Sequence, residues 1–400
     1  MLIFSFLHLL RPNPKAHIYS AKLVGPIRYA FNADSAAFAR LVVRFPNGFT
    51  EVKQGRARLM RPLYPTIAWL LYKTSGVFKN LVPVKLATRV TTMMTTRVNH
   101  PEIWHGIDGG DVIRAWISLV MVNIFLYWLS IVLVFLALKG LFISMHAILL
   151  SLLLASHFTV IDFCYVPHTE ALNLLIPALF LYTACILWPG QKGDLLTAGL
   201  LGIAMLGKAL AFPCLNWFYQ HITESRKGEL LKKIAILIIL FSLPTILLIF
   251  FLKAFGIQPA NYEAVKHRQL LWMWDYVQQG NIWEVPQRWL SGLALQLINI
   301  AKAFAIPLLA VVFLLFKKNE LRLKITRELT LHLIVYAVLC LFFWCLIGFH
   351  PVRLSVTHFP WVLVLLGYLT ANRSTAPNLF LMGIVSIQVL LRAFGFFAWD

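Results

Sequence analysis

Long apolar runs separated by short, basic, turn-rich links fill the last three quarters of this chain. The runs are Ile113–Leu138, Leu141–Val160, Ala171–Trp188, Leu195–Phe218, Ile234–Leu252, Trp289–Phe316, Leu329–Ile347, Ser355–Thr370 and Asn378–Ala398. A helix needs about 20 apolar residues to cross roughly 30 Å of hydrocarbon, and most of these runs reach or approach that length. The pattern predicts an all-α fold, a polytopic transmembrane helical bundle over 111–400 with an external loop at 253–288.

The first 110 residues read differently. Met1–Leu10 is apolar but too short to span, and lacks the basic start and cleavage site of an ordinary signal peptide. Residues 11–110 are mostly polar, rich in Arg and Lys, and punctuated by prolines such as Pro12, Pro46, Pro62 and Pro83. Two helices are predicted within them. "DSAAFARLVV" sets an N-cap-like Asp34 before an apolar stripe. "PLYPTIAWLLYKTSGVF" is amphipathic, carries Trp69 and is short for a span, which predicts an interfacial helix. The expected organisation is a short apolar segment plus a long first external loop with juxtamembrane helices over 1–110.

Composition sharpens the class. The chain is 60% hydrophobic and 13% charged, with a mean hydropathy of +0.75, about half the charge of a soluble domain. Its net charge of +20 sits in links beside apolar runs. Such residues set topology and meet lipid or phosphate head groups, so the expected partners are membrane lipids and not nucleic acid. Cys164, Cys185, Cys214, Cys340 and Cys345 show no CxxC pairing, so neither a disulfide framework nor a metal site is implied.

Orientation follows from the links. "ESRKGELLKK" from Glu224 and "KKNELRLKITR" from Lys317 are short and strongly basic, hence cytoplasmic, and 253–288 faces the other side. Counting back leaves two alternatives. If Leu195–Phe218 is one span, "DFCYVPHTE" and residues 11–110 are cytoplasmic. If it breaks near Gly207-Lys208 and turns back, as Lys208 and Pro213 would allow, both regions are external.

Ionisable residues within reach of hydrocarbon are costly and point to function. Asp162, His168 and Glu170 cluster in "IDFCYVPHTEALN"; they suit either a solvated turn with Glu170 at a helix start or a polar cavity at the membrane surface. "GFHPVRLSVTH" sets His350, Arg353 and His358 between two runs, an ordinary basic loop or a phosphate seat, since guanidinium forks match phosphate bidentately. His100, His105, Asp108 and Asp111 in "HPEIWHGIDGGD" read as a Gly-rich turn capping the helix from Ile113, with Asp108 and Asp111 kept as candidate metal ligands. HExxH, GxSxG and Walker A patterns are absent.

In order along the chain, "DSAAFARLV", "RPLYPTIAWLLY", "PHTEALNLLIPALFLY", "LLTAGLLGIAMLGKALAFP" and "HPVRLSVTHFPWVLVLL" resemble the GT-C class of integral-membrane glycosyltransferases. The resemblance extends from about residue 28 to 370. It implies a first external loop with a catalytic acid, an interfacial "PLYP"-type helix and an acid-led later helix. A Gly-rich helix ending in a cation and a late Arg before an apolar run are implied too. The class has a full first transmembrane helix, where only Met1–Leu10 stands here, and no DxD pair accompanies Asp34, Glu51 being the nearest acid; a metal-dependent mechanism is therefore not implied.

The resemblance favours the broken Leu195–Phe218 pair. It implies an enzyme moving a sugar from a polyprenyl-phosphate donor to a lipid-linked or glycan acceptor at the external face of a bacterial inner membrane; no cofactor is specified, and a divalent metal stays open. Asp34 would be the base. Arg61, Tyr64, Lys208, His350 and Arg353 would hold the donor phosphate, with His168 and Glu170 as further polar groups in the cavity. A flippase or other transporter of polyprenyl-linked saccharides, or a polymerase of them, is the alternative; a broken helix suits it, but no internal repeat does.

Overall fold

The computed structural model describes residues 19–24, 27–31, 33–50, 61–76, 82–96, 106–157, 160, 167, 169–187, 192–206, 227–254, 256, 268, 271–316, 327–348, 352–371 and 377–393. These are helical apart from turns and one antiparallel hairpin of β1 (Tyr19–Val24) and β2 (Ile27–Phe31). The hairpin departs from the expected all-α fold. Its alternating "YSAKLV" and "IRYAF" flank Gly25-Pro26, a turn signal with a period of two.

The helices are α1 (Ala33–Val43), α2 (Leu63–Thr74), α3 (Val84–Thr96), α4 (Gly109–Lys139), α5 (Ser144–Ala155), α6 (Leu172–Tyr182), α7 (Lys192–Met205), α8 (Lys227–Ala254), α9 (Leu271–Gln278), α10 (Glu284–Ala303), α11 (Ala305–Phe316), α12 (Arg327–Ile347), α13 (Phe359–Ala371) and α14 (Pro377–Ala393). A 3-10 turn at Thr169–Ala171 leads into α6, and a 3-10 segment at Val352–His358 leads into α13. Among the described residues, five stretches are long and apolar enough to cross a membrane: Gly109–Lys139, Thr169–Ile186, Ile234–Ala254, Leu329–Ile347 and Val352–Ala371. The chain is a multi-pass helical membrane protein.

Two expected spans take other forms. Trp289–Phe316 is not one rod: α10 and α11 meet at an 88° bend around Phe304. Side chains from elsewhere satisfy the carbonyls freed at such depth, as hydrocarbon demands. His157 Nε2 lies 2.7 Å from the Ala303 carbonyl. Within Leu141–Val160, α5 stops at Ala155, where Tyr127 and Gln388 donate to the carbonyls of Ala155 and Leu153. In Leu195–Phe218, α7 ends at Met205 and Leu206 turns back to the Ile203 carbonyl at 3.0 Å; Lys208 and Pro213 lie outside the described residues.

Contacts sort the helix ends into two faces. At one, Gly140 after α4 lies against Ile186, and His146 near the start of α5 bonds Thr370 and Asn378 at 2.7 and 3.3 Å. Midway, Phe180 stacks on Tyr336 with ring centroids 4.2 Å apart. At the opposite face lie Thr169, the end of α12 at Ile347, and Val352. Trp272 of α9 joins them, donating to the Leu346 carbonyl at 2.9 Å.

α4 has 31 residues, about 46 Å at 1.5 Å per residue, and outreaches the hydrocarbon. α1, α2 and α3 pack around its first third. Gly109 is required there, because a Cβ would sit 2.0 Å from the Ala87 carbonyl of α3. Phe38 of α1 meets Tyr64 of α2 edge-on at 5.1 Å, and the Tyr64 hydroxyl donates to Leu119. Asp108 caps α4 by accepting from Gly110 N at 3.1 Å, and Asp111 pairs with Arg114 at 3.0 Å. These two acids thus serve the turn and the helix start.

Candidate functional site

Three sequence segments far apart along the chain meet at the Thr169 end of the bundle. Arg61, in the turn that opens α2, donates from Nη1 to the Thr169 hydroxyl at 3.3 Å. The next residue, Glu170, has its Oε1 3.6 Å from Nε of Arg353 in the 3-10 segment before α13. Both guanidinium groups are therefore anchored to neighbouring residues of one 3-10 turn.

Local sequence explains the arrangement. Pro62 and Pro65 open α2 where missing N–H groups cost little, and Tyr64, Pro65, Ala68 and Tyr72 face α4. That fixes the height of Arg61 on α4. Glu170 stands at the start of a helix, where the dipole favours a carboxylate. Asn173, three residues on, donates its amide to Glu170 Oε2. Pro351 and Leu354 bracket Arg353, with Leu354 buried.

Burial is uneven in a way that suits binding. The Glu170 side chain is 7% exposed and that of Arg353 38%. A separation of 3.6 Å exceeds a hydrogen bond, so Glu170 acts on Arg353 by charge. Among the described residues two guanidinium groups meet one buried carboxylate here, and guanidinium forks are groups that match an anion such as a phosphate.

Of the residues expected from sequence, Arg61, Tyr64, Glu170 and Arg353 come together at this end. Tyr64 is 1% exposed and bonded to Leu119, so it braces the site from within rather than facing a ligand. Asp34 is the second residue of α1, inside the first turn instead of at the N-cap; its side chain, and His168, Lys208 and His350, lie outside the described residues. One helical turn after Asp34, Phe38 rests on Tyr64, three residues from Arg61. His358 is fully buried and its Nδ1 accepts the Trp361 indole N–H at 3.2 Å, a packing role.

Thr169 and Asn173 were not foreseen. The spacing of Glu170 and Asn173, one turn apart on a helix, was the available signal. Among the described residues no group of three or more His, Cys, Asp or Glu could hold a metal ion. Comparison with known protein families, with curated proteins and with solved structures gives no match in any of the three.

Proposed function

We propose that this chain is a membrane glycosyltransferase that moves a sugar from a polyprenyl-phosphate donor to a lipid-linked or glycan acceptor at the external membrane face. The observation that carries the reading is the convergence of Arg61, Glu170 and Arg353 at one end of the bundle. Cations there stabilise the polyprenyl phosphate as it leaves. Asp34, on the helix that packs beside Tyr64, takes the proton of the attacking acceptor hydroxyl. The acceptor oxygen bonds to the sugar's anomeric carbon, the bond from that carbon to the phosphate oxygen breaks, and the phosphate carries off the electron pair. The outward Ile67 and Leu70 of α2, 36% and 54% exposed, favour an interfacial helix.

Sidedness supports the same reading. The sequence between Phe316 and Arg327 is strongly basic, and those two residues lie at the end opposite Glu170, which supports a cytoplasmic assignment for that end. Trp272 lies at the Glu170 end, and the link over 255–270, with Glu263, Lys266, His267 and Arg268, is too polar to cross. α8 must then rise from the basic end, the end at which α7 also begins. α7, 14 residues and about 21 Å long, is short for a crossing and stops beside Gly207. This supports the broken pair, and with it an external position for residues 11–110.

The bend at Phe304 favours a second reading, a transporter of polyprenyl-linked saccharides, because broken helices line transport paths. One experiment separates the two. Membranes containing the chain or its Asp34→Asn variant are given a radiolabelled polyprenyl-phosphate sugar. Transfer abolished by Asp34→Asn is expected. Unchanged transfer removes Asp34 as the base, and translocation without transfer selects the transporter.

A further inference from the structure

Near the Val352–His358 segment that carries Arg353, α9 and α10 form a shallow, open groove of about 420 Å³ lined by Tyr276, Glu284, Gln287, Arg288 and Ser291. Its floor is fixed. Trp272 is 3% exposed and tied to the Leu346 carbonyl, over Gly348, whose φ of +69° turns the chain there. The Arg288 guanidinium lies 5.0 Å from the Trp272 ring centroid and 5.6 Å from that of Tyr276, and donates to the Tyr276 hydroxyl at 3.3 Å. The two rings stand at 82° to one another, so the guanidinium is braced on two sides.

The other lining groups share one face of α10. Positions 284, 287, 288 and 291 recur at the spacing of a single helix stripe. The Ser291 hydroxyl donates to the Arg288 carbonyl at 2.8 Å, which turns its lone pairs outward as acceptors. The set is one carboxylate, one guanidinium, one carboxamide and two hydroxyls around a phenol ring. It has no net charge, and donors and acceptors are mixed.

That inventory selects among ligands. An anion meets Glu284 and a cation already stacked on two aromatic faces; a metal cation meets Arg288. A neutral polyhydroxylated molecule with a flat apolar face satisfies all of it: hydroxyls pair with Glu284, Gln287 and Arg288, and ring C–H groups cover the tyrosine. Flanking Trp274, Ile282 and Trp283, 59%, 55% and 81% exposed, match an interfacial belt at head-group depth, where the sugar of a membrane-linked glycan is presented.

We propose that the α9–α10 cleft is a saccharide-binding site that seats the acceptor glycan. The word acceptor rests on the transferase reading above; binding of a pyranose does not. The test uses the full chain in nanodiscs of zwitterionic lipid, titrated with neutral disaccharides of glucose, mannose and galactose and with a short-chain prenyl-linked disaccharide, read by tryptophan fluorescence and saturation-transfer NMR. At least one saccharide is expected to bind saturably, and Gln287→Ala and Arg288→Ala to weaken it tenfold or more. Gln287 is exposed, so its variant separates lost contact from lost folding.

Tighter binding of the prenyl-linked ligand than of the free sugar, lost in Gln287→Ala, supports a lipid-linked source; equal binding supports a free glycan, and both uphold the site. No saturable binding of any saccharide, or binding indifferent to both variants, overturns it. Inorganic phosphate quenching the same tryptophans where sugars do not would also overturn it, in favour of an anion seat. Binding that survives while Asp34→Asn leaves transfer intact keeps the cleft and removes the transferase. Transfer lost in Asp34→Asn with no saccharide bound here does the reverse.

Discussion

Removing the two partners of the Glu170–Arg353 pair one at a time should have unequal costs, and the inequality tests whether burial governs the site. Arg353→Met takes one cation from the Glu170 carboxylate, which is 7% exposed. Stripping one partner from a fully buried pair costs about 3–5 kcal/mol and from an exposed pair about 1 kcal/mol or less. Arg353 is 38% exposed and stands 3.6 Å away, and Asn173 still donates to the carboxylate. About 2–3 kcal/mol is therefore expected. Glu170→Gln keeps shape and leaves a cation that can turn to water, so about 1 kcal/mol or less is expected. The double variant removes the stranded charge and should recover most of the Arg353→Met loss, a coupling of at least about 1 kcal/mol. Reversible unfolding of the purified chain in detergent, followed by tryptophan fluorescence at fixed pH, measures all four corners. Equal single-variant losses, or a double variant that is simply additive, would refute the claim that Glu170 holds Arg353 by charge from a buried position.

Three further outcomes follow from packing and titration. Phe38→Ala removes a ring 1% exposed that sits edge-on to Tyr64, and should cost about 3–5 kcal/mol and loosen the Arg61 turn, read as faster proteolysis within 11–110. Gly202→Leu forces a side chain into the Phe241 and Leu240 carbonyls, 2.7 and 2.9 Å from an added Cβ, so α7 should part from α8 and a cysteine pair placed across them should cross-link poorly, while Gly199→Ala, with open space, should not. The Tyr72 phenol is pushed up to about 12 by burial first and then by Asp111. Because the folded state holds this proton more tightly than the unfolded one, its stability contribution is whole below about pH 10 and fades as pH rises toward 12; a tyrosinate absorbance titration of the chain minus that of Tyr72→Phe should show this late step.

Arg61, Glu170 and Arg353 were legible because a charge beside a hydrocarbon segment needs a reason, and that reason is local to the sequence. Their meeting was not legible, since it depends on how α2 docks on α4 and how Val352–His358 lies against α6. The bend at Phe304 was hidden for a similar cause. Trp289–Phe316 reads as one apolar run, and what stops it is tertiary: His157 bonds the Ala303 carbonyl and its ring lies 5.4 Å from that of Phe304. Composition reports greasiness and not direction. The amphipathic character of Glu284–Ala303, with Glu284, Gln287 and Arg288 on one stripe, was the trace such a bend left in the sequence.

The bend and the site are mechanically one construction. α10 packs on Val352–His358, the segment that carries Arg353, and it can lie there only because the chain turns by 88° before descending as α11. A straight helix over 284–316 would stand beside the bundle and leave the Arg353 turn without its cover. Straightening it should therefore act at the site although no site residue is touched. His157→Leu removes the group that bonds the Ala303 carbonyl, at the usual cost of about 1–3 kcal/mol for a buried polar group left unmade. The expected signature is a change in the accessibility of a cysteine at position 353, measured with a membrane-impermeant reagent. A His157→Leu chain whose position 353 reacts as before would separate bend from site and assign the bend to another task.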